Sequence, residues 1–426
     1  METKARRESR YRSSVRNGKA AGAIPAYAAA RIMTKPKWWI NGNVLLISMS
    51  AFFADMGYQA ILAGFPVFLV LLLRAPAYYL GVAYAFAYGI GALFSTAGGM
   101  LGDRFGRKRV AVLGNVFILI LPFLGFAANA VQAISTYSAG WWARNFRSPP
   151  RRAMLSESTT KGERPRAFGL LHALDVGGGV VAVAYLLILL YLKLSLQSIF
   201  IFTAIPISLS TVCLIFVKSR MGRSKAAGKI ESKAETPKSR IKSDTLKGVL
   251  VSTALFGFSS YSLGFPIITI ASRAGSDLTG IFSYMVYLAF SAVAGYMIGQ
   301  QAHRLNAVKG LAFLGYLLAA IASAVLAIYY VSAANVLLSY FAVALLGVSL
   351  GAIETFEPTI ISLITNKEEQ GRKFGYLTSS RSIGLFTANI GMGILYTINP
   401  SYSYVYAAAV ASAAVIILLY FGRGFK

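Results

Sequence analysis

Cysteine is almost absent from this chain of 426 residues, and the single Cys213 excludes both an intramolecular disulfide and a cysteine-based metal cluster. Acidic residues are scarce as well, with 15 Asp and Glu against 42 Lys and Arg. The chain has no G-x-x-x-x-G-K-[ST] phosphate loop, which argues against ATP hydrolysis by this chain. It also has no recognisable set of nucleophile, base and orienting residue. We therefore expect no enzyme activity, no cofactor and no metal.

Long hydrophobic runs make up most of the chain. Hydrophobic residues are 56% of the sequence and the mean hydropathy is +0.60, which is far from a soluble domain. About twenty apolar residues suffice to cross the hydrocarbon core, and runs of this length recur throughout. The pattern predicts an all-α polytopic membrane protein with twelve transmembrane helices. The predicted spans are 40–73, 78–101, 110–129, 132–157, 167–192, 196–217, 247–272, 277–301, 308–330, 335–364, 373–397 and 402–421.

The positions of the basic residues agree with this topology, because lysine and arginine collect on the cytoplasmic side of membrane proteins. With both termini placed in the cytoplasm, every Lys and Arg except Arg74, Lys193 and Arg273 falls in a tail, a cytoplasmic loop or the inner part of a helix. The net charge of +27 is then explained by topology and by anionic lipid headgroups, and nucleic acid is not an expected partner. We predict a multi-pass plasma-membrane protein with cytoplasmic termini.

Two polar segments divide the chain. Residues 1–37 carry ten lysines or arginines and no apolar run, so they are predicted to form a disordered, basic cytoplasmic tail. Translation from Met1 would make this a lipid-binding tail, and translation from Met33 would remove most of it. Residues 218–246 are polar and lysine-rich, which predicts a flexible cytoplasmic linker. The two bundles of six helices are predicted over 38–217 and 247–426.

The two halves look like repeats of each other. The sequence Gly-Phe-Pro at 64–66 recurs at 264–266. The sequence Arg-Ala-Phe-Gly at 166–169 recurs as Arg-Lys-Phe-Gly at 372–375. Two matches in the same order at similar offsets indicate a duplication of a six-helix unit.

A glycine-rich basic loop lies between the second and third predicted spans, with the sequence GMLGDRFGRKR from Gly99 to Arg109. The glycines permit a tight turn and close helix approach, and the basic run keeps the loop in the cytoplasm. Asp103 can pair with a neighbouring arginine or with a helix N-terminus. A plain positive-inside loop would explain the same composition.

This loop resembles the signature of the major facilitator superfamily, G-x-x-x-D-[RK]-x-G-[RK]-[RK]. The resemblance extends over about residues 38–421, and the segment from Arg147 to Asp175 is similar to an uncharacterised prokaryotic and archaeal branch of that superfamily. It implies two six-helix bundles that rock about a central site. It also implies a cytoplasmic latch built from Gly99, Asp103, Arg104, Gly106, Arg107 and Lys108.

An arginine cluster lies on the fourth predicted span, where the chain must pass through lipid. Placing a charged guanidinium in the hydrocarbon region costs several kcal/mol unless an anionic group pairs with it. Arg144, Arg147 and Arg151 are spaced i, i+3, i+7 and share one helical face, with Arg152 beside them. Counted from the turn near Glu157, they lie about 20, 15 and 9 Å deep. A polar face directed into a cavity is the natural arrangement.

Carboxylates occur at similar depth on other spans, namely Asp55, Asp175, Glu354 and Glu357. When the two repeats are aligned, Arg151 occupies the position equivalent to Glu357, and Asp175 the position equivalent to Arg381, so the charges at both positions are reversed between the halves. The bundles can therefore meet through complementary charges, or these residues can be permanent structural ion pairs. A carboxyl in a low-dielectric interior can also take up a proton in one state and release it in another, and Asp55 and Glu354 are the main candidates.

Other polar and aromatic side chains are weaker candidates. Tyr58, Gln59 and Trp142 are predicted to line the central cavity with the arginines, although aromatic residues in such helices usually pack or lie at the interface. His172 is a further candidate for proton coupling. A buried histidine is more often a packing residue.

These observations predict a secondary active transporter that is coupled to protons and moves a small anionic organic solute by alternating access. Arginine suits a carboxylate or phosphate because it donates bidentate hydrogen bonds. The alternatives are a multidrug/proton antiporter and, in another class, a non-transporting membrane sensor or scaffold. The chain is expected to act as a monomer, with a solute, protons and anionic lipids as its partners.

Overall fold

The computed structural model describes residues 40–159, 164–218, 239–301, 306–332, 335–364 and 370–422. The predicted basic tail, residues 1–37, lies outside the described residues, and so do residues 219–238 of the predicted linker. The boundaries predicted for these two segments therefore stay predictions.

Helices of membrane-spanning length follow one another along the described chain, which confirms the all-α class and the fold of two six-helix bundles. The first six helices are α1 Gly42–Leu72, α2 Tyr78–Phe105, α3 Arg107–Phe126, α4 Ala130–Glu157, α5 Arg164–Tyr191 and α6 Leu196–Phe216. The second six are α7, in the two pieces α7a Ser239–Ser259 and α7b Gly264–Ala274, then α8 Asp277–Gln301, α9 Ala307–Val331, α10 Val336–Ile364, α11 Gln370–Ile398 and α12 Pro400–Phe421.

Charge distinguishes two of these helices from the rest. In the described chain, ten helices are long and apolar enough to cross a membrane by composition alone, and α4 and α11 are not among them. Helix α4 carries the predicted arginine cluster, and α11 carries Arg381. Such helices are tolerated in a membrane when their polar side chains face protein or a water-filled cavity.

The seventh helix is broken, whereas the sequence predicted one continuous span. The helix ends at Ser259 and resumes at Gly264. Pro266 lies in the first turn of α7b, where its missing N–H costs no helical hydrogen bond, and the carbonyl of Ser262 accepts from the N–H of Phe265 at 3.2 Å. Within the break, the N–H of Ser262 donates to Oδ1 of Asn389 on α11, at 3.2 Å. The other copy of Gly-Phe-Pro, at 64–66, does not interrupt α1. The helix continues after Pro66 with the wider turns of a π-helix, over Val67–Leu72.

The helices pack both within each bundle and between the bundles. In the first bundle, α1 packs on α5 and α6, and α4 packs on α2 and α3. In the second bundle, α8 packs on α10, and α12 packs on α7a and α9. The two bundles contact each other along α2 with α11, α5 with α8, and α1 with α7b. One buried hydrophobic cluster contains residues of both bundles, among them Phe65 and Phe265, so the bundles share part of their core.

The two ends of the helices differ in charge. We call the end that holds Asp103, Arg107 and Glu157 the basic end, and the end that holds Arg74 and Arg273 the opposite end. Because successive helices run in alternate directions, these names apply to both bundles.

Aromatic side chains close the molecule towards the opposite end. The rings of Phe65 and Phe265, from the two Gly-Phe-Pro repeats, both contact Tyr84 of α2, with centroids 6.2 and 6.4 Å from its ring. All three side chains are buried. A Cβ atom on Gly264 would clash with the Tyr84 hydroxyl, so this residue must be glycine for the contact to form. The two copies of the Gly-Phe-Pro motif thus each contribute one phenylalanine to the aromatic contact that closes this end, which we call the seal.

Candidate functional site

The glycine-rich loop forms a surface ion-pair cluster at the basic end. Arg107 donates from Nε and Nη2 to Asp103 Oδ1, at 3.0 and 2.9 Å, and from Nη1 to Glu157 Oε1 of α4, at 2.6 Å. Gly106 turns the chain with a φ of 99°, a conformation that favours glycine. This cluster ties α2 and the start of α3 to the end of α4.

The remaining predicted latch residues lie around this cluster. Gly99 faces Pro149 of α4, with 3.6 Å between a Cβ built on the glycine and the proline Cβ. The guanidinium of Arg104 lies 5.2 Å from the centroid of the Phe105 ring. Lys108 is half-buried at the start of α3. The role of the set as a latch stays a prediction.

Arg144 lies at the middle of α4. Its Nε donates to the Tyr58 hydroxyl at 3.2 Å, and its guanidinium lies 4.7 Å from the Trp141 ring centroid. Its Nη1 reaches Asn145 Oδ1 at 3.4 Å. Among the described residues, no carboxylate lies within ion-pair distance of Arg144. Aromatic faces and a hydroxyl therefore position this cation, and the carboxylates of Asp55 and Asp175 act on it electrostatically without forming a direct ion pair.

A hydrogen-bonded chain leads from Arg144 across the boundary between the bundles. The Tyr58 hydroxyl, which receives the Arg144 bond, donates to Asp55 Oδ1 of the same helix. Gln59 donates to that same oxygen at 3.4 Å, and its own Oε1 accepts from the hydroxyl of Tyr284 on α8, at 2.7 Å. Sequence reasoning missed Tyr284. The chain places an ionisable carboxyl between a fixed cation and the second bundle.

Arg147 turns away from that chain. Its side chain is fully buried, and Nη1 donates to Asn115 Oδ1 of α3 at 2.6 Å. Asn115 in turn donates to the Thr211 hydroxyl of α6 at 2.7 Å. Sequence reasoning missed Asn115, although an asparagine in the apolar run of α3 was an available signal. Arg147 lies in the interior of the first bundle, and not with Tyr58 and Gln59.

Two ion pairs with inverted charge occupy equivalent places in the bundles. Arg151 of α4 lies 3.4 Å from Asp175 of α5. Glu357 of α10 pairs with Arg381 of α11, and Arg381 also donates to Glu354 at 3.0 Å. Both pairs join residues 24 positions apart. Both pairs lie within a bundle, and the role of these charges stays a prediction.

The two carboxylates beside Arg381 differ in environment. The Glu357 side chain is 0% exposed and accepts hydrogen bonds from the hydroxyls of Tyr316, at 2.9 Å, and Thr253, at 3.3 Å. The Glu354 side chain is 61% exposed although it lies ten residues before the end of α10. Glu354 and Arg152 of α4 interact electrostatically across the cleft between the bundles. Open space therefore reaches Glu354, while the aromatic rings close the opposite end.

Two predicted site residues lie apart from these groups. The Trp142 indole donates to the Phe86 carbonyl of α2 at 2.8 Å and stacks on Phe94 at 4.9 Å. His172 is exposed on α5. The structure brings together Arg144, Tyr58, Asp55 and Gln59, and it does not bring Trp142 or His172 to them.

This architecture, with polar and charged side chains at mid-depth between two bundles, defines a polytopic membrane transport protein. The sequence profile described as Major Facilitator Superfamily matches residues 47–307 and 249–424. The chain belongs to the major facilitator superfamily, as its loop motif predicted.

Relatives and solved structures agree with this assignment. The chain is 23% identical over 395 residues to the uncharacterized MFS-type transporter MJ1317 of Methanocaldococcus jannaschii, covering 89% of this chain and 95% of that protein. It is 29% identical over 129 residues to the uncharacterized MFS-type transporter YqjV of Bacillus subtilis, covering 30% of this chain and 31% of that protein.

Similar solved structures are also transporters. A POT family transporter in complex with a thioalcohol-conjugated peptide has a TM-score of 0.75 at 11% identity, covering 90% of this chain and 96% of that one. A point mutant of the nucleoside transporter NupG has a TM-score of 0.71 at 12% identity, covering 90% of this chain and 100% of that one. At these identities the similarity shows the fold and names no solute.

Proposed function

We propose that this protein is a proton-coupled secondary transporter that moves a small organic anion by alternating access. The observation that carries the proposal is Arg144, a half-buried cation at mid-depth that aromatic rings and a hydroxyl position, and that has no carboxylate of the described residues within ion-pair distance. A guanidinium held in this way is ready to bind a carboxylate or phosphate with charge-assisted hydrogen bonds. Arg147, enclosed on the same helix, adds positive potential to the site.

The charges of the membrane interior support an anionic solute. In the first bundle, α4 carries four arginines, and the neighbouring helices supply two carboxylates, Asp55 and Asp175. The sum of these charges is two positive charges in excess. Potential of one sign inside low-dielectric walls raises the local concentration of ligands of the other sign. The seal at the opposite end and the open space at Glu354 correspond to one of the two states that alternating access requires.

Proton coupling is assigned to Asp55. Its Oδ1 accepts from Tyr58 and Gln59, and Gln59 accepts from Tyr284 of the second bundle. A change in the charge of Asp55 therefore acts both on Arg144, through the Tyr58 hydroxyl, and on a contact between the bundles. Coupling of proton and solute transport requires an ionisable group whose charge affects both solute binding and the contact between the bundles.

The distribution of basic residues supports an orientation of the protein in the membrane. We propose that the basic end faces the cytoplasm of a plasma membrane, that both termini are cytoplasmic, and that anionic headgroups contact the basic loops. The state described here is then open to the cytoplasm. The protein is proposed to act as a monomer.

Thermal unfolding of the detergent-purified protein tests the anion site. Carboxylates and organic phosphates are expected to raise the unfolding temperature, and neutral or cationic compounds of the same size are not, because a ligand of the native state stabilises it by RT ln(1 + [L]/Kd). Arg144→Gln should remove the effect, while Arg74→Gln, at the exposed opposite end, should retain it. Stabilisation by lipophilic cations alone, or anion effects that survive Arg144→Gln, would contradict the proposal and favour drug efflux.

A further inference from the structure

Two acidic side chains meet inside the first bundle. Asp55 lies on α1 and Asp175 on α5, and their carboxyl groups are within hydrogen-bonding reach of each other. The backbones of the two helices come close here, since a Cβ atom on Gly178 would clash with the carbonyl oxygen of Phe52. Each helix carries its aspartate about one turn from this close approach. We call Asp55 and Asp175 the carboxyl pair.

A contact between two carboxyl groups needs one proton. A carboxylate oxygen only accepts hydrogen bonds, so two ionised carboxylates repel each other, whereas one proton placed between them makes a hydrogen bond. Asp55 is 3% exposed, so water does little to screen the repulsion there. Two carboxyl groups that share one site therefore hold a proton in common more readily than either would hold it alone.

The hydrogen bonds around the carboxyl pair indicate which oxygen carries this proton. Oδ1 of Asp55 accepts from Tyr58 and Gln59, while Oδ2 is buried and has no hydrogen-bond partner among the described residues. Both oxygens of Asp175 lie 3.4 Å from Nη2 of Arg151, which stabilises the ionised form of Asp175. The proton is therefore placed on Oδ2 of Asp55, from which it is donated to Asp175.

The carboxyl pair is surrounded by the arginines of α4. Arg144 and Arg147 act electrostatically on both aspartates, and Arg152 acts on Asp175. Arg151 forms the ion pair with Asp175. A proton on the pair therefore adds one positive charge to a region that is already positive. Two phenol groups also approach the pair, those of Tyr58 on α1 and, through Gln59, of Tyr284 on α8.

Asp175 connects the carboxyl pair to water. Its side chain is 25% exposed, whereas Asp55 is 3% exposed. A proton from water therefore reaches Asp175 first. It moves on along the hydrogen bond between the two groups, as the O–H bond at Asp175 breaks and the O–H bond at Oδ2 of Asp55 forms. The same route in reverse returns the proton to water.

We propose that Asp55 and Asp175 hold the coupling proton jointly, and that the proton enters and leaves through Asp175. The inference rests on the proposed function, which assigns the proton to Asp55 alone. With the proton bound, an anion at Arg144 meets one more positive charge and binds more tightly. By reciprocity, the bound anion raises the proton affinity of the carboxyl pair by the same factor. Proton and anion are thus favoured together.

Infrared difference spectra of the purified full-length protein, taken between neutral and alkaline buffer, detect the shared proton directly. A protonated carboxyl group has a C=O stretching band that an ionised carboxylate lacks, and this band shifts in D2O. The unsubstituted protein is expected to lose such a band in alkaline buffer. Asp55→Asn and Asp175→Asn should each lack this band, because the aspartate that remains faces arginines and no second carboxylate.

Two further variants separate the shared proton from an effect on folding. Asp175→Asn leaves Arg151 buried without its counter-charge, which lowers stability. Arg151→Gln with Asp175→Asn removes both charges, so it should recover most of the unfolding midpoint and still lack the band. Asp277→Asn, at the start of α8 and the opposite end, should retain the band.

Accumulation of solute in proteoliposomes under a pH gradient is the second readout, and Asp175→Asn should lose it. Three results would overturn the shared proton: no band in the unsubstituted protein, a band that survives Asp175→Asn alone or with Arg151→Gln, and gradient-driven accumulation by Asp175→Asn. Failure of the unsubstituted protein to accumulate a solute would instead overturn the proposed function, and the infrared comparison would still decide this inference.

Discussion

Replacing Arg381 with glutamine is expected to reduce the free energy of unfolding by about 3 to 5 kcal/mol, because the change leaves a carboxylate buried without its counter-charge. Glu357 is 0% exposed, and after the substitution its remaining hydrogen-bond partners among the described residues would be the hydroxyls of Tyr316 and Thr253. Two neutral hydrogen bonds do not replace an ion pair in a low-dielectric interior. The loss is measurable as a lower unfolding midpoint in detergent and as reduced abundance in the membrane.

A double variant and a surface control make this prediction specific. Arg381→Gln with Glu357→Gln removes both charges and should recover most of the lost stability. Arg107→Gln breaks the exposed contacts with Asp103 and Glu157, and it should cost less than about 1 kcal/mol because such pairs are screened by solvent. Similar small losses for Arg381→Gln and Arg107→Gln, or no recovery in the double variant, would mean that the buried pair does not stabilise the second bundle in this way.

Replacing Asp55 with asparagine is expected to abolish accumulation driven by a proton gradient while solute exchange continues. With one proton per monovalent anion, a gradient of one pH unit supports about a tenfold accumulation, or 1.4 kcal/mol. The asparagine oxygen can still accept from Tyr58 and Gln59, so the local structure should persist, but the side chain no longer exchanges a proton. Accumulation in proteoliposomes should fall from about tenfold to none under this gradient.

Asp277→Asn is the matched control for Asp55→Asn, since it makes the same chemical change at the end of a helix. It should leave gradient-driven accumulation intact. If Asp55→Asn accumulated solute as the unsubstituted protein does, the proton would be carried elsewhere, and Glu354 would be the next candidate. If Asp55→Asn lost exchange as well as accumulation, the role of Asp55 would be structural.

Hydrophobic runs predicted the fold well, because membrane-spanning helices must be long and largely apolar whatever their neighbours. The break in α7 was not predictable in the same way. The same Gly-Phe-Pro sequence follows apolar residues in α1 and polar residues in α7, and only in α7 does Asn389 of another helix hold the freed N–H of Ser262. That partner is 127 residues away, so local sequence gives no sign of it.

The arginine cluster shows a second limit of sequence reasoning. The spacing of Arg144, Arg147 and Arg151 places their Cα atoms on one helical face, as predicted. Their long side chains nevertheless reach three different helices, where they contact Tyr58 of α1, Asn115 of α3 and Asp175 of α5. Helical periodicity gives the direction of a Cβ atom, while the partner of a flexible side chain depends on tertiary packing.

The repeats were more informative about the ion pairs than about the site. Alignment of the two halves correctly set Arg151 against Glu357 and Asp175 against Arg381 as opposites in kind. It did not reveal that each pair forms inside its own bundle. The structure resolves this because both pairs join neighbouring helices across the same interval of 24 residues.

The coupling of solute to protons is the central claim, and internal pH tests it most directly. The purified protein would be reconstituted in liposomes that contain a pH-sensitive dye, with no imposed gradient. An anionic solute that stabilises the protein would then be added outside. The account predicts acidification of the lumen that follows solute entry and disappears in Asp55→Asn. Solute entry without any change of internal pH in the unsubstituted protein would contradict it.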